Sequence, residues 1–282
     1  MELFTNITSI KNYLREQQSE RKRIGFVHTM GYLHEGQLSL VRRAVAETDL
    51  TVVSIFVHSI HRLKTPEDPK KYRNLDQDLY YIQKAGAEVA FTPSAAEMYG
   101  TDFLTSVQVN KISETIGTID GASRSGHFQG FTTIVAKLFN IIRPDKAYFG
   151  QKDGQQVVVI QKMVQDLNMD VEVIICPTVR EADGLAISSR NRYLNMEERN
   201  QATVLYQALM AAKKLWLNGE NDPIKIKKRM AEIISNKPLA QIEYISIVDT
   251  ASLQKTAPIS GPVMIALAVK FGATRLIDNI II

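Results

Sequence analysis

Along the first 177 residues, short runs rich in β-branched residues alternate with stretches whose apolar side chains recur at helical spacing. Residues 24–27 form an apolar run, 38–46 carry the helical spacing, and 51–57 form a second β-branched run, which predicts a strand, helix, strand unit. Parallel strands joined this way take a right-handed crossover, so the carboxyl ends of both strands, near His28 and His58, share one edge of the sheet. The alternation continues with a helix over 74–85, a strand over 88–91, a helix over 131–142, a strand over 147–149, a helix over 154–167 and a strand over 171–176. This order predicts a Rossmann-like, doubly wound α/β domain over residues 1–177. Beyond Pro177 a linker-like stretch precedes helices over 197–217 and 223–235 and β-rich runs over 242–248, 263–271 and 275–282. A smaller C-terminal α+β domain is expected at 178–282, and no internal repeat or heptad interrupts the pattern.

Charge refines this only slightly. The 34 basic and 30 acidic residues give a net charge of +4, and the two signs are interspersed, which suits anionic small molecules and argues against a nucleic-acid partner. Cys176, the single cysteine, closes an apolar run and reads as a buried strand residue rather than a nucleophile. No apolar run has membrane-spanning length and the N-terminus has no signal-like pattern, so the expected location is the cytoplasm.

Three segments carry chemistry. Met30, Gly31, Tyr32, Leu33, His34, Glu35, Gly36 and Gln37 lie between the first strand and its helix. A glycine-bearing turn there offers free N–H groups and the positive helix end to a phosphate, and His34 is placed to donate to a phosphoryl oxygen. An ordinary βα loop with a solvent-facing histidine explains the same letters. Gly150, Gln151, Lys152 and Asp153 follow the 147–149 strand and open a helix, with Gln156 one turn on. Lys152 is a point charge for a phosphate, and Asp153 an acceptor for a ribose hydroxyl or a magnesium-bound water; a helix cap explains Asp153 alone. In the third segment Ser188, Ser189 and Arg190 form a candidate phosphate clamp. Residues 121–126 imitate P-loop glycine spacing, but His127 stands where the lysine is needed, and no dinucleotide G-x-G-x-x-G is present.

In order and spacing, five motifs resemble the signature of the pantothenate synthetase family. They are Thr-Met-Gly-Tyr-Leu-His-Glu-Gly at 29–36, Gly-His-Phe-Gln-Gly at 126–130, Ala-Tyr-Phe-Gly-Gln-Lys-Asp-Gly-Gln-Gln at 147–156, Val-Arg-Glu-Ala-Asp-Gly-Leu-Ala-Ile-Ser-Ser-Arg-Asn at 179–191 and Arg-Leu-Ile-Asp-Asn at 275–279. The resemblance implies a nucleotidyltransferase-type Rossmann domain with a C-terminal domain that closes over the site. It implies a homodimer that uses ATP with Mg²⁺ to activate pantoate as an acyl-adenylate, which the amine of β-alanine then displaces. The ATP residues it implies are Met30, Gly31, Tyr32, Leu33, His34, Glu35, Gly36, Gln37, Gly150, Gln151, Lys152 and Asp153, completed by Val179, Ile187, Ser188, Ser189 and Arg190. His34, Lys152, Arg190 and the position of Gln37 would carry catalysis, and Gln156 corresponds to a pantoate-binding glutamine.

The sequence departs from the family in a clustered way. Gln37 stands where the family has a second histidine, His28 where it has proline, His61 where a glutamine contacts pantoate and Arg62 where an aromatic ring is expected. Gln37 can donate a hydrogen bond but supplies neither cation nor proton. These changes lead to the expectation of a strongly reduced pantothenate-forming rate. They also open a second reading, a nucleotide-binding variant of the scaffold altered in its second substrate, with His28, His58 and His61 as a candidate metal set.

Overall fold

A computed structural model describes residues 1–56, 74–110 and 125–282, with 125–127 described in their backbone only. His58, His61, Arg62 and the rest of the altered 58–72 segment lie outside the described residues, as do 121–124 of the P-loop-like stretch. The chain divides into two compact units, one of Met1–Val109, Gly126–Gly150 and Val159–Cys176, the other of Asn110–Ser125, Gln151–Val158 and Pro177–Ile282.

The first unit is built on six parallel strands: β1 (Glu2–Phe4), β2 (Ile24–Thr29), β3 (Leu50–Ile55), β4 (Val89–Phe91), β5 (Lys146–Gly150) and β6 (Glu172–Cys176). They are ordered β1-β4-β3-β2-β5-β6. Every residue of β3 is buried, as a strand covered on both faces requires, and this is why it reads as an unbroken apolar run. Helix α1 (Ile7–Ser19) and helix α2 (Glu35–Glu47) follow β1 and β2, and α3 (Leu75–Lys84) and α4 (Ala95–Tyr99) flank β4. Helix α5 (Ser125–Ile142) precedes β5, and α6 (Gly154–Asp166) precedes β6. Leu40, Val41 and Ala44 of α2 pack with Val27, Val53, Ile55, Ile82, Ala90 and Tyr148 in one apolar cluster. The sheet order reverses between β2 and β5. In open α/β sheets ligands bind at such a point, outside the carboxyl ends of the strands. Cys176 ends β6 at 3% exposure, and burial raises its thiol pKa.

The second unit pairs β7 (Ala240–Asp249), β8 (Val263–Phe271) and β9 (Thr274–Ile281) as an antiparallel sheet in the order β7-β8-β9. Helices α7 (Met196–Ala202), α8 (Val204–Leu217) and α9 (Pro223–Ser235) precede it, and Leu205, Leu209, Ile226 and Met230 bury against Ile265, Leu267 and Val269. The helix expected over 197–217 is interrupted at Thr203, whose hydroxyl donates to Asn200 O at 3.1 Å, a local bond that competes with the helical ladder. In β7 the register shifts between Ile242 and Tyr244, so Glu243 is the extra residue of a bulge. No helix among the described residues is long and apolar enough to cross a membrane.

Gly184 fixes the turn that follows Arg180. Its φ is +91°, and an added Cβ would lie 2.1 Å from Cδ1 of Tyr206. We expect Gly184→Ala to cost roughly 1–3 kcal/mol through backbone strain and overlap, read as a lower urea midpoint at unchanged slope. A midpoint equal to that of the parent would contradict this account of the turn.

Candidate active site

In the first unit the site begins where β2 ends. The Thr29 hydroxyl donates to Ser54 O at 3.0 Å, tying the strand end to β3. The chain then turns through the left-handed region at Gly31 (φ +85°) and Tyr32 (φ +52°). The backbone N–H groups of Tyr32 and Leu33 both donate, at 2.9 Å, to the carboxylate of Asp78, which is 3% exposed on α3. Asp78 therefore sets the shape of the loop. The sequence did carry a signal for it, because Leu75, Asp78, Leu79 and Ile82 share one helical stripe, and a lone carboxylate on an apolar stripe demands partners.

His34 is the N-cap of α2, with extended backbone (φ −133°). Gln37 turns its side chain back so that Oε1 accepts from the His34 N–H at 3.1 Å. This is the backward half of a capping box. Gly36 leaves space for the imidazole: a Cβ there would approach His34 Cε1 to 3.0 Å. Glu35 pairs with Arg42, and Met30 is half exposed. His28 shares a hydrogen bond from Nδ1 with the Ser54 hydroxyl at 2.8 Å. Its two proposed metal partners fall outside the described residues. Among the described residues no three His, Cys, Asp or Glu side chains are grouped to hold a metal.

In the second unit, Gln151–Asp153 form a 3-10 turn at the head of α6. The Lys152 ammonium donates to Ile187 O at 2.8 Å and Ala186 O at 3.5 Å. Burial pushes its pKa down to about 8, opposed by Asp153 and Asp278 and reinforced by Arg190 and Arg180. Residues 179–187 form a hairpin. Ile187 N–H donates to Val179 O at 3.0 Å and Glu181 N–H to Leu185 O at 2.8 Å. Ser188 caps the short helix Ser189–Tyr193 by accepting from Arg190 N–H at 3.2 Å. Ser189, Arg190 and Asp153 are exposed, while Val179, Ile187, Gly150, Gln151 and Gln156 are partly buried. The structure thus brings Lys152 together with Ile187 directly.

Lys152 gives a pH prediction. Below pH 8 it is an ammonium, and above it the free enzyme holds a neutral amine. If its charge binds ATP, kcat/KM for ATP falls about tenfold per pH unit above roughly pH 8, because that ratio reports the free enzyme. Lys152→Arg, which does not titrate in this range, should remove the alkaline limb. A limb that survives this substitution would assign it to another group.

Comparison with known proteins covers the whole chain. The sequence profile described as Pantoate-beta-alanine ligase matches residues 2–281. A pantothenate synthetase from Carboxydothermus hydrogenoformans is 50% identical over 100% of this chain and 99% of its own. One from Thermotoga neapolitana is 49% identical over 100% of both. The crystal structure of pantothenate synthetase from Thermus thermophilus superposes with a TM-score of 0.90 at 39% identity, over 99% of each chain. That of the Francisella tularensis pantoate-beta-alanine ligase, complexed with beta-gamma ATP and beta-alanine, matches with a TM-score of 0.75 at 31% identity, over 99% of this chain and 97% of that one.

Proposed function

The chain belongs to the pantoate-β-alanine ligase family, and from that premise we propose how its residues divide the work of joining pantoate to β-alanine with ATP. A pantoate carboxylate oxygen attacks the α-phosphorus and the bond to pyrophosphate breaks. The amine of β-alanine then attacks the acyl carbon, losing a proton as AMP leaves. The first step brings two anions together, so it needs positive charge and directed N–H groups at the phosphates.

The observation that carries the residue assignment is Lys152, a half-buried ammonium that donates to the carbonyls of Ile187 and Ala186 and is kept near pKa 8 by burial. A cation so weakly solvated gains strongly from an anionic ligand. We assign it to the ATP phosphates, with Arg190 beside Ser188 and Ser189 as a second cationic donor and Gly150, Gln151, Val179 and Ile187 completing the ATP contacts. In the other unit, the first N–H groups of α2 and His34 at its cap are assigned to the phosphates, with Met30, Gly31, Tyr32, Leu33, Glu35 and Gly36 lining the loop. Gln37 supports this loop by holding the His34 N–H. Gln156 is assigned to pantoate.

The Mg²⁺ implied by the resemblance is of the kind carried by substrate phosphates and water with one or two carboxylates. Asp153, exposed on its turn, would accept from a water of that ion, whose chemistry is charge neutralisation at the phosphates.

The test is isotope exchange between pyrophosphate and ATP on the purified chain. Exchange that requires pantoate, followed by pantothenate formation when β-alanine is added, is the expected result. ATP binding without exchange in the presence of pantoate would point instead to an altered second substrate, the reading that Gln37 and the 58–72 segment raise.

A further inference from the structure

The C-terminal motif at 275–279 has no part in the assignments above, yet two of its side chains are buried on β9: Asp278 at 2% and Asn279 at 3% exposure. A buried amide is costly unless its hydrogen bonds are made, and Asn279 spends its bonds on one short stretch of chain. Its Nδ2 donates to Gln151 O at 2.8 Å and to Lys152 O at 3.0 Å. Its Oδ1 accepts from Gln151 Nε2 at 3.5 Å, and its own N–H donates to Asp278 Oδ1 at 2.8 Å.

Resting on the ligase reading, we propose that Asn279 is the positioning residue for Lys152, fixing the backbone from which the phosphate-binding ammonium projects. A single 3-10 turn has poor internal hydrogen-bond geometry, and here the carbonyls of Gln151 and Lys152 each take a further donor from outside it. One amide NH₂, with two hydrogens in a fixed plane, satisfies both. The turn also sits close on the sheet: a Cβ on Gly154 would meet Met264 Cε at 2.7 Å and Asn279 Oδ1 at 3.3 Å. Lys152 is thereby held at both ends, its backbone by β9 and its ammonium by Ile187 O. A lysine is a charge on a flexible four-carbon stem, and anchoring its root removes much of that slack before the substrate arrives.

Asn279→Asp keeps the shape but places carboxylate oxygens against two carbonyl oxygens; Asn279→Ser exchanges the two amide hydrogens for a single hydroxyl on a shorter side chain. In the pantoate-dependent exchange assay, per folded enzyme titrated by its pyrophosphate burst, each variant should lose about 10–100-fold in kcat. The KM for ATP should stay within about threefold. Ile265→Val, in the buried centre of β8, serves as the stability control, and its kcat should be unchanged. A kcat within threefold of the parent in both variants, a rise in KM alone, or failure of both variants to fold would overturn the assignment. If the parent shows no pantoate-dependent exchange, the ligase reading fails; if the parent exchanges and the variants match it, only the role of Asn279 fails.

Discussion

Replacing Lys152 with methionine is expected to lower pantoate-dependent pyrophosphate exchange by about 10²–10³-fold, the usual cost of one positioned donor at a developing charge. Methionine preserves most of the apolar stem, so packing in the second unit is largely retained. What disappears is the ammonium that Ile187 O and Ala186 O hold in place. Those carbonyls lose a donor, a stability cost of about 1 kcal/mol each at most if water replaces it. The loss should fall mainly on kcat, because the charge on the phosphates grows as pyrophosphate leaves, whereas an equal rise in KM would indicate uniform binding. Lys152→Arg should recover part of the rate, since the charge persists but a planar fork does not superimpose on an ammonium. An exchange rate within threefold of the parent for Lys152→Met would remove Lys152 from the chemistry.

How much of this was legible in the sequence depends on whether a residue's surroundings are local. The strand Val263–Phe271 and the helix Pro223–Ser235 have the expected bounds. The strand is an almost wholly buried apolar run, and the helix starts at a proline preceded by Asp222, which caps it through Ile224 N–H. Strand β1 and helix α1 leave little such mark: β1 has three residues, none fully buried, and α1 buries only Ile10 and Leu14 among polar neighbours. Such segments owe their form to tertiary pairing, here with β4, and carry little periodic signal of their own. The same distinction divides the site. The 30–37 loop and the 150–153 turn could be found from glycine placement between strand and helix, whereas Asp78 and Asn279 act on those loops from 46 and 127 positions away. Asn279 stood in a visible motif and Asp78 in none, and the carbonyls and N–H groups that the two serve could not be read from either.

The largest stability effect is expected at Asp278. Its carboxylate, with a side chain 1% exposed, forms a two-point pair with Arg180 at 2.5 and 2.9 Å and also accepts from Asn279 N–H. Arg180 donates to Gly184 O at 3.1 Å and lies over the Tyr206 ring at 4.5 Å. Pair, turn and ring thus form one assembly. Asp278→Leu leaves a guanidinium that cannot give up its proton, and breaking a buried pair from one side typically costs about 3–5 kcal/mol. For a chain of this size that corresponds to a fall in Tm on the order of 10 °C. Arg180→Met should cost less, because the carboxylate it strands still accepts a backbone N–H and can neutralise itself by taking a proton. The double variant Arg180→Met with Asp278→Leu should be more stable than Asp278→Leu alone, since an apolar replacement of both partners leaves no charge buried. Thermal unfolding of the three variants decides the matter. A Tm for Asp278→Leu within about 2 °C of the parent, well inside the shift expected for a broken buried pair, or no recovery in the double variant, would show that the pair is an exposed contact in solution and not the clamp on the 180–184 turn.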